Sequence, residues 1–187
     1  VTSTPLLTRR RLLVVGGATA AALAAGSALL MRGGGDAHYR ALLRPGTTPV
    51  TLTEKELAVL TALCDAVVPE LDPSRPGAST LRLAERIDKE LSFHHRALQR
   101  DFAQALFFLE HGAVLRGSTV RFTRLAPAEQ EARLEAMLVG NDLERQVFNS
   151  LRFVALFFAY CDERTWASIH YDGPPFPRSA PEADSRV

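Results

Sequence analysis

Polar and apolar positions divide this chain of 187 residues into an uncharged N-terminal run and a series of stretches with helical period. From Leu12 to Met31 no side chain is charged, and Leu, Val, Ala and Gly dominate. Gly33 to Pro49 has no sustained apolar period but holds three consecutive glycines, Pro45-Gly46 and Pro49, so residues 33–50 read as a linker. Helical order then begins at Thr53-Glu54-Lys55-Glu56, a capping box in which the threonine oxygen takes an orphan amide and Glu56 reaches back. Leu57, Leu60, Leu63, Cys64, Val67 and Val68 follow at helical spacing until Pro69 stops the run. After the turn-rich segment Pro69 to Gly77, a second helix from about Ser79 places Leu81, Ala84, Ile87, Asp88 and Leu91 on one side. The third, from His95 to Gly112, buries Leu98, Phe102, Ala105, Leu106 and Leu109, and the fourth opens on Leu125-Ala126-Pro127 and ends at Gly140.

The fifth predicted helix, from Asp142 to Cys161, is more apolar than its predecessors. Val147, Phe148, Leu151, Phe153, Val154, Leu156, Phe157, Phe158 and Tyr160 leave it almost no polar side, so it must be covered all round. Two arrangements satisfy that: a central core helix wrapped by the other four, or a helix whose Phe153 and Phe157 face is completed by another protein. A short helix or turn from Thr165 to Gly173 and a proline exit follow, then a polar tail over residues 177–187 that reads as disordered. No stretch has a convincing period of two. The fold class expected is all-α: one helical domain of five to six helices over residues 51–176.

With the N-terminal run set aside, enough chain remains for one domain with a genuine core. A formal net charge of +1, with arginines scattered among glutamates, leaves no basic stripe for a phosphate backbone and argues against nucleic acid as a partner. Cys64 and Cys161 are the only cysteines, which removes Cys-x-x-Cys redox, zinc-ribbon and covalent-haem motifs. In an oxidising compartment the two could form a disulfide; the alternative is two free thiols.

The N-terminal run is also an address. Thr8-Arg9-Arg10-Arg11-Leu12-Leu13 has the hydroxyl, paired-arginine and apolar order of a twin-arginine export signal, with Arg9 and Arg10 as its defining pair and the translocase as reader. Residues 1–32 then act as that signal or as an uncleaved anchor, and either places the domain in the periplasm or on the outer face of the cytoplasmic membrane.

Chemistry is harder to find. There is no glycine-rich phosphate loop after a strand, no His-Glu-x-x-His and no Gly-x-Ser-x-Gly. His94 and His95 are helix neighbours about 100° apart and cannot share one ion without other ligands. His111 reads as a favourable charge at the carbonyl end of its helix. His170, beside Trp166 and Tyr171, is the most interesting histidine, and a free-standing enzyme would have to use it with Tyr171 and Asp172. The expectation from the residues is no catalytic, cofactor-binding or metal site in this chain.

The paired arginines, the Leu52-Thr53 helix ending in Val67-Val68-Pro69, the Leu125-Ala126-Pro127-Ala128-Glu129-Gln130 start, and the closing Tyr160 with Trp166-Ala167-Ser168-Ile169-His170-Tyr171-Asp172-Gly173-Pro174 together resemble the gluconate 2-dehydrogenase subunit 3 family. The resemblance covers roughly Leu52 to Pro175. His170 stands where that family commonly has glycine. What it implies is a small accessory subunit without a redox centre, beside a large flavin-dependent dehydrogenase of the glucose-methanol-choline type that carries the FAD and the substrate. In such complexes a cytochrome c subunit, where present, holds haem and passes electrons to the membrane. The small subunit's twin-arginine signal would carry the folded flavoprotein across with it. Phe153, Phe157, Trp166, His170 and Tyr171 are the candidate interface to that partner, and the alternatives are a free-standing exported enzyme or a structural envelope protein held by its anchor.

Overall fold

A computed structural model of the chain describes residues 37–71, 75–118 and 120–173. Among them every regular element is helical. The helices are α1 (Ala37–Leu42), α2 (Glu54–Val67), α3 (Ala78–Leu81), α4 (Leu83–Leu91), α5 (Arg96–His111), α6 (Pro127–Leu138) and α7 (Asp142–Tyr160), with 3-10 turns at Gly112–Arg116, Phe122–Arg124 and Glu163–Ile169. The all-α expectation therefore holds. Arg9 and Arg10, the rest of the run read as an export signal, and the tail lie outside the described residues.

Helix α2 begins where its capping box predicts. The Glu56 amide donates to Thr53 Oγ1 at 3.3 Å, and the Thr53 amide donates to Glu56 Oε2 at 2.7 Å. This helix, and not α7, is the one wrapped on all sides: Leu57, Ala58, Val59, Leu60, Ala62, Leu63 and Cys64 are all buried, and α2 meets every other α-helix. Alanines and β-branched Val59 make it slim enough for neighbours to approach from several directions. Helix α7 packs through one stripe only, Glu144, Phe148, Leu151, Ala155 and Ala159, at spacings of three and four. Of the two arrangements open for it, the central core helix is the one not observed.

The second predicted helix is split. Arg82 adopts φ 54° and ψ 43°, a left-handed residue that ends α3 and starts α4 in a new direction. The turn lets Leu81 and Leu83 both reach the core, which a continuous helix would not allow for residues two apart. Upstream, Gly77 closes the proline loop against α2: a Cβ there would lie 2.6 Å from the Glu70 amide nitrogen, and the Ala78 amide donates to the Val68 carbonyl at 2.8 Å. In α5, Leu106 and Leu109 are buried as expected, with Phe102 and Ala105 packed against the core. Leu98, placed on the same face by its period, is instead exposed in the first turn.

The stretch read as a linker is folded from Ala37 onward. Tyr39 of α1 is buried, and its hydroxyl donates to Glu110 Oε1 at 2.7 Å. Glu110 is fully buried and also accepts from the Thr123 amide at 3.0 Å and from Thr123 Oγ1 at 2.8 Å, so one carboxylate joins α1, the end of α5 and the Phe122 turn. Burial, then the bond and charge of Glu110, push the Tyr39 hydroxyl up to about 12 against the opposing pull of Arg121, keeping it a donor at any physiological pH. Glycine and proline content mark low helix propensity but cannot reveal one aromatic anchor that binds a short helix to a core.

Candidate functional site

An α-helix advances 100° per residue, so the stripe opposite the buried face of α7 carries Gln146, Asn149, Phe153, Phe157 and Tyr160. Its first half is polar and its second half aromatic. Phe153 is 68% exposed, Phe157 54% and Tyr160 47%. One helical turn apart, the Phe153 and Phe157 rings stack with centroids 6.1 Å apart and planes 24° from parallel. Phe158, half-buried, meets Phe157 edge-on at 5.7 Å and lies under the Arg86 guanidinium.

The chain after α7 is folded back onto the helix end. Asp162 caps the 3-10 turn through the Arg164 amide at 3.1 Å, takes two bonds from the Arg164 guanidinium at 2.9 Å each, and takes one from Arg86 of α4 at 2.9 Å. The Arg164 contact, with Arg86 behind it, holds the Asp162 carboxyl down at about 2 despite some desolvation. Thr165, buried, donates to the Ala159 carbonyl at 2.9 Å, and Trp166 Nε1 donates to the Tyr160 carbonyl at 3.0 Å, so the last carbonyls of α7 are satisfied by side chains. Tyr171 meets the Trp166 ring edge-on at 5.1 Å, and Gly173 lies so close to it that a Cβ would sit 3.0 Å from Trp166 Cζ3.

His170 ends the turn at φ 53° and ψ 40°, in the left-handed region where glycine is at ease. A residue with a Cβ costs about 1–2 kcal/mol there. Part of any gain from glycine is returned as unfolded-state entropy. His170→Gly is therefore expected to raise stability by roughly 0.5–1 kcal/mol, read from the urea midpoint at constant m value. A loss of stability would mean that the imidazole makes a compensating contact.

The structure brings Phe153 next to Phe157 and Trp166 next to Tyr171, and ties Trp166 to the Tyr160 carbonyl. His170, Tyr171 and Asp172 lie exposed along the turn instead of converging on a cleft. The clefts of the described residues lie elsewhere. One of about 30 Å³ is lined by Leu57, Cys64 and Ala84, and a broad open groove lies between His94, Arg96 and Arg100 on one side and Thr51 and Glu56 on the other. His94 and His95 are exposed, with His94 Nε2 3.7 Å from Glu90, and no group of three metal-ligating side chains occurs among the described residues. No described helix is long and apolar enough to cross a membrane.

Cys64 and Cys161 are both free, one in the core and one exposed at the end of α7. The disulfide open to them by composition is not formed. Burial pushes the Cys64 thiol far above its ordinary range, with Asp65 and Glu85 adding to it, so Cys64 is an inert core group.

His111 also differs from its expected role. Its Nε2 is buried without a hydrogen-bond partner, and its ring packs on Phe107 with centroids 4.7 Å apart. Burial, with Lys55 and Arg121 nearby, moves it below the usual imidazole range against the pull of Glu110, so it is held neutral instead of charging the helix end. With the folded pKa below the unfolded one, its contribution is present above pH about 6.5 and is lost as pH falls through the folded value. The urea midpoint should therefore drop between pH 7 and 5, and His111→Gln should flatten that slope. A slope unchanged by the substitution would assign it to other groups.

Two carboxylates that organise the domain, Asp88 and Glu110, escape a sequence reading. Asp88 left a signal, a charge in the apolar row of its helix; Glu110, following Leu109, left none. No curated protein and no solved structure matches the chain. Residues 54–173, from the first turn of α2 to the glycine packed on Trp166, match the family described as gluconate 2-dehydrogenase subunit 3. The chain belongs to the gluconate 2-dehydrogenase subunit 3 family.

Proposed function

We propose that this protein is the non-catalytic small subunit of a flavin-dependent sugar or alcohol dehydrogenase complex, and that it supports assembly and twin-arginine co-export of the catalytic subunit. Membership in a family named for a dehydrogenase subunit supports an accessory place in such a complex. The observation that carries the reading further is the aromatic half-stripe of α7: two phenylalanines, each more than half exposed, stacked side by side on one helix face. An aromatic patch of this kind is the usual core of a protein interface. Under this reading FAD and substrate sit on the large subunit, and haem, where present, on a cytochrome c subunit. Arg9 and Arg10 then direct a complex folded in the cytoplasm to the periplasmic side.

The test is purification of the full chain from the cell envelope. A flavoprotein should accompany it, and Arg9→Lys with Arg10→Lys should leave both proteins in the cytoplasm. A solitary monomer, whose deletion leaves dehydrogenase activity and export of the flavoprotein unchanged, refutes the proposal. The competing enzyme reading predicts turnover by the isolated chain that His170→Ala lowers by orders of magnitude. The exposed, divergent placement of His170, Tyr171 and Asp172 does not favour it.

A further inference from the structure

The described domain begins at Ala37, and the surface around that entry point is basic and apolar. His38 Nε2 lies 3.3 Å from Thr123 Oγ1, and the Arg121 guanidinium donates to the Tyr39 hydroxyl at 3.2 Å, so the start of α1 is seated on the Phe122–Arg124 turn. Residues 111–128 hold Arg116, Arg121 and Arg124 and no Asp or Glu. Arg124 is exposed, Arg133 of α6 donates to the Val120 carbonyl at 3.4 Å, and Val114 and Val120 are 60% and 46% exposed on the same loop. We propose that this corner docks on the anionic headgroups of the membrane that receives residues 12–31, with Val114 and Val120 entering the interface and Arg121 and Arg124 beside the lipid phosphates.

Tether length is the first argument. The uncharged run from Leu12 ends at Met31, and the chain from there to Ala37 spans about 20 Å at most even when fully extended. Headgroups fill about 6 Å of that distance, so a run inserted in the hydrocarbon core keeps the start of α1 near the membrane surface. The second argument is charge. Of the flanking acids, Glu110 is buried against Tyr39 and Thr123, and Glu129 accepts the Ala126 amide at the start of α6. An arginine near an anionic leaflet favours the bound state about fivefold, and apolar side chains beside it add burial to that attraction. Position then separates this corner from a rival of similar make-up, Phe93, which is 73% exposed and followed by His94, His95 and Arg96. Phe93 precedes the opposite end of α5, whose 16 residues place it about 24 Å from the His111 end. The inference rests on the membrane reading of residues 1–32 and not on a flavoprotein partner, so its failure leaves the function proposed above standing.

The test uses the full chain in vesicles of phosphatidylcholine with or without phosphatidylglycerol, in a Cys161→Ser background, since Cys64 is buried. A fluorescent label on Val120→Cys should be quenched by lipid carrying a headgroup-level quencher in the anionic vesicles, and the same label on Phe93→Cys should not. Arg124→Glu should lower the docked-to-undocked ratio read from that quenching by about fivefold or more, with an unchanged urea midpoint showing an intact fold. Quenching at Val120 that is equal in neutral vesicles and survives Arg124→Glu reflects the tether alone and overturns the proposal. Stronger quenching at Phe93 overturns it in favour of that corner. Inorganic phosphate that releases the Val120 label where chloride of equal ionic strength does not assigns the arginines to a free anion and overturns it too, as does a chain that stays out of the vesicle fraction.

Discussion

Replacing Asp88 by alanine should lower the unfolding free energy by about 3 kcal/mol, one of the largest single-residue losses available outside the apolar core. The carboxylate is buried on the core side of α4, where it accepts the amides of three consecutive residues: Val50 at 2.6 Å, Thr51 at 3.0 Å and Leu52 at 2.7 Å. Each bond to an ionised acceptor is worth about 1.5–3 kcal/mol, but the sum is not realised, because Val50 and Thr51 can turn to water once released. Leu52 cannot do so without leaving the core, and its orphaned amide carries most of the cost. The effect also propagates, since these three residues deliver the chain to Thr53 and so set the capping box of α2, the helix around which all others pack. Asp88→Asn should fall between wild type and alanine, keeping one acceptor oxygen but turning an NH₂ toward a backbone donor. Urea unfolding checks both; a loss below about 1 kcal/mol for alanine would mean that the carboxylate is hydrated in the native state.

Legibility in the sequence followed the range of the interactions. Helix starts fixed by neighbours three residues apart were readable: Thr53 with Glu56, and Pro127 in the first turn of α6. In α6 only half a capping box exists, the Ala126 amide donating to Glu129 at 2.9 Å, because Ala126 has no side-chain oxygen to return the bond. Asn141 with Glu144 makes a full box by the same local rule. Long-range contacts left no such trace. Tyr39 to Glu110 spans 71 residues and makes part of an apparent linker integral to the domain, and Arg86 to Asp162 ties α4 to the turn after α7 across 76. Hydrophobic content also misassigned the centre. The nine large apolar residues of α7 from Val147 to Tyr160 look more buried than the alanine-diluted α2, yet small side chains are what allow neighbours on every side, and the aromatics of α7 are partly surplus to the core. At His170 the resemblance led to an expectation of glycine, and the left-handed turn found there gives a physical reason for that expectation.

That surplus supports the second large effect. Phe153→Asp with Phe157→Asp should weaken association with the proposed large subunit by at least 100-fold while leaving the domain folded. Aromatic anchors at the centre of an interface cost about 2 kcal/mol or more each when truncated, and a carboxylate forced into an apolar pocket adds its own desolvation. The fold should tolerate the change, because both rings project from the side of α7 opposite Leu151 and Ala155, and only the ring pair itself and the Phe158 edge contact are lost. The urea midpoint should therefore move little, which separates an interface effect from an unfolding one. Gln146→Asp with Asn149→Asp, on the polar half of the same stripe, supplies the control for charge alone and should weaken association far less. Comparable weakening by both pairs would show that net charge, and not the two phenylalanines, governs the contact; unaltered affinity in the phenylalanine pair would move the partner's footprint to another face of the domain.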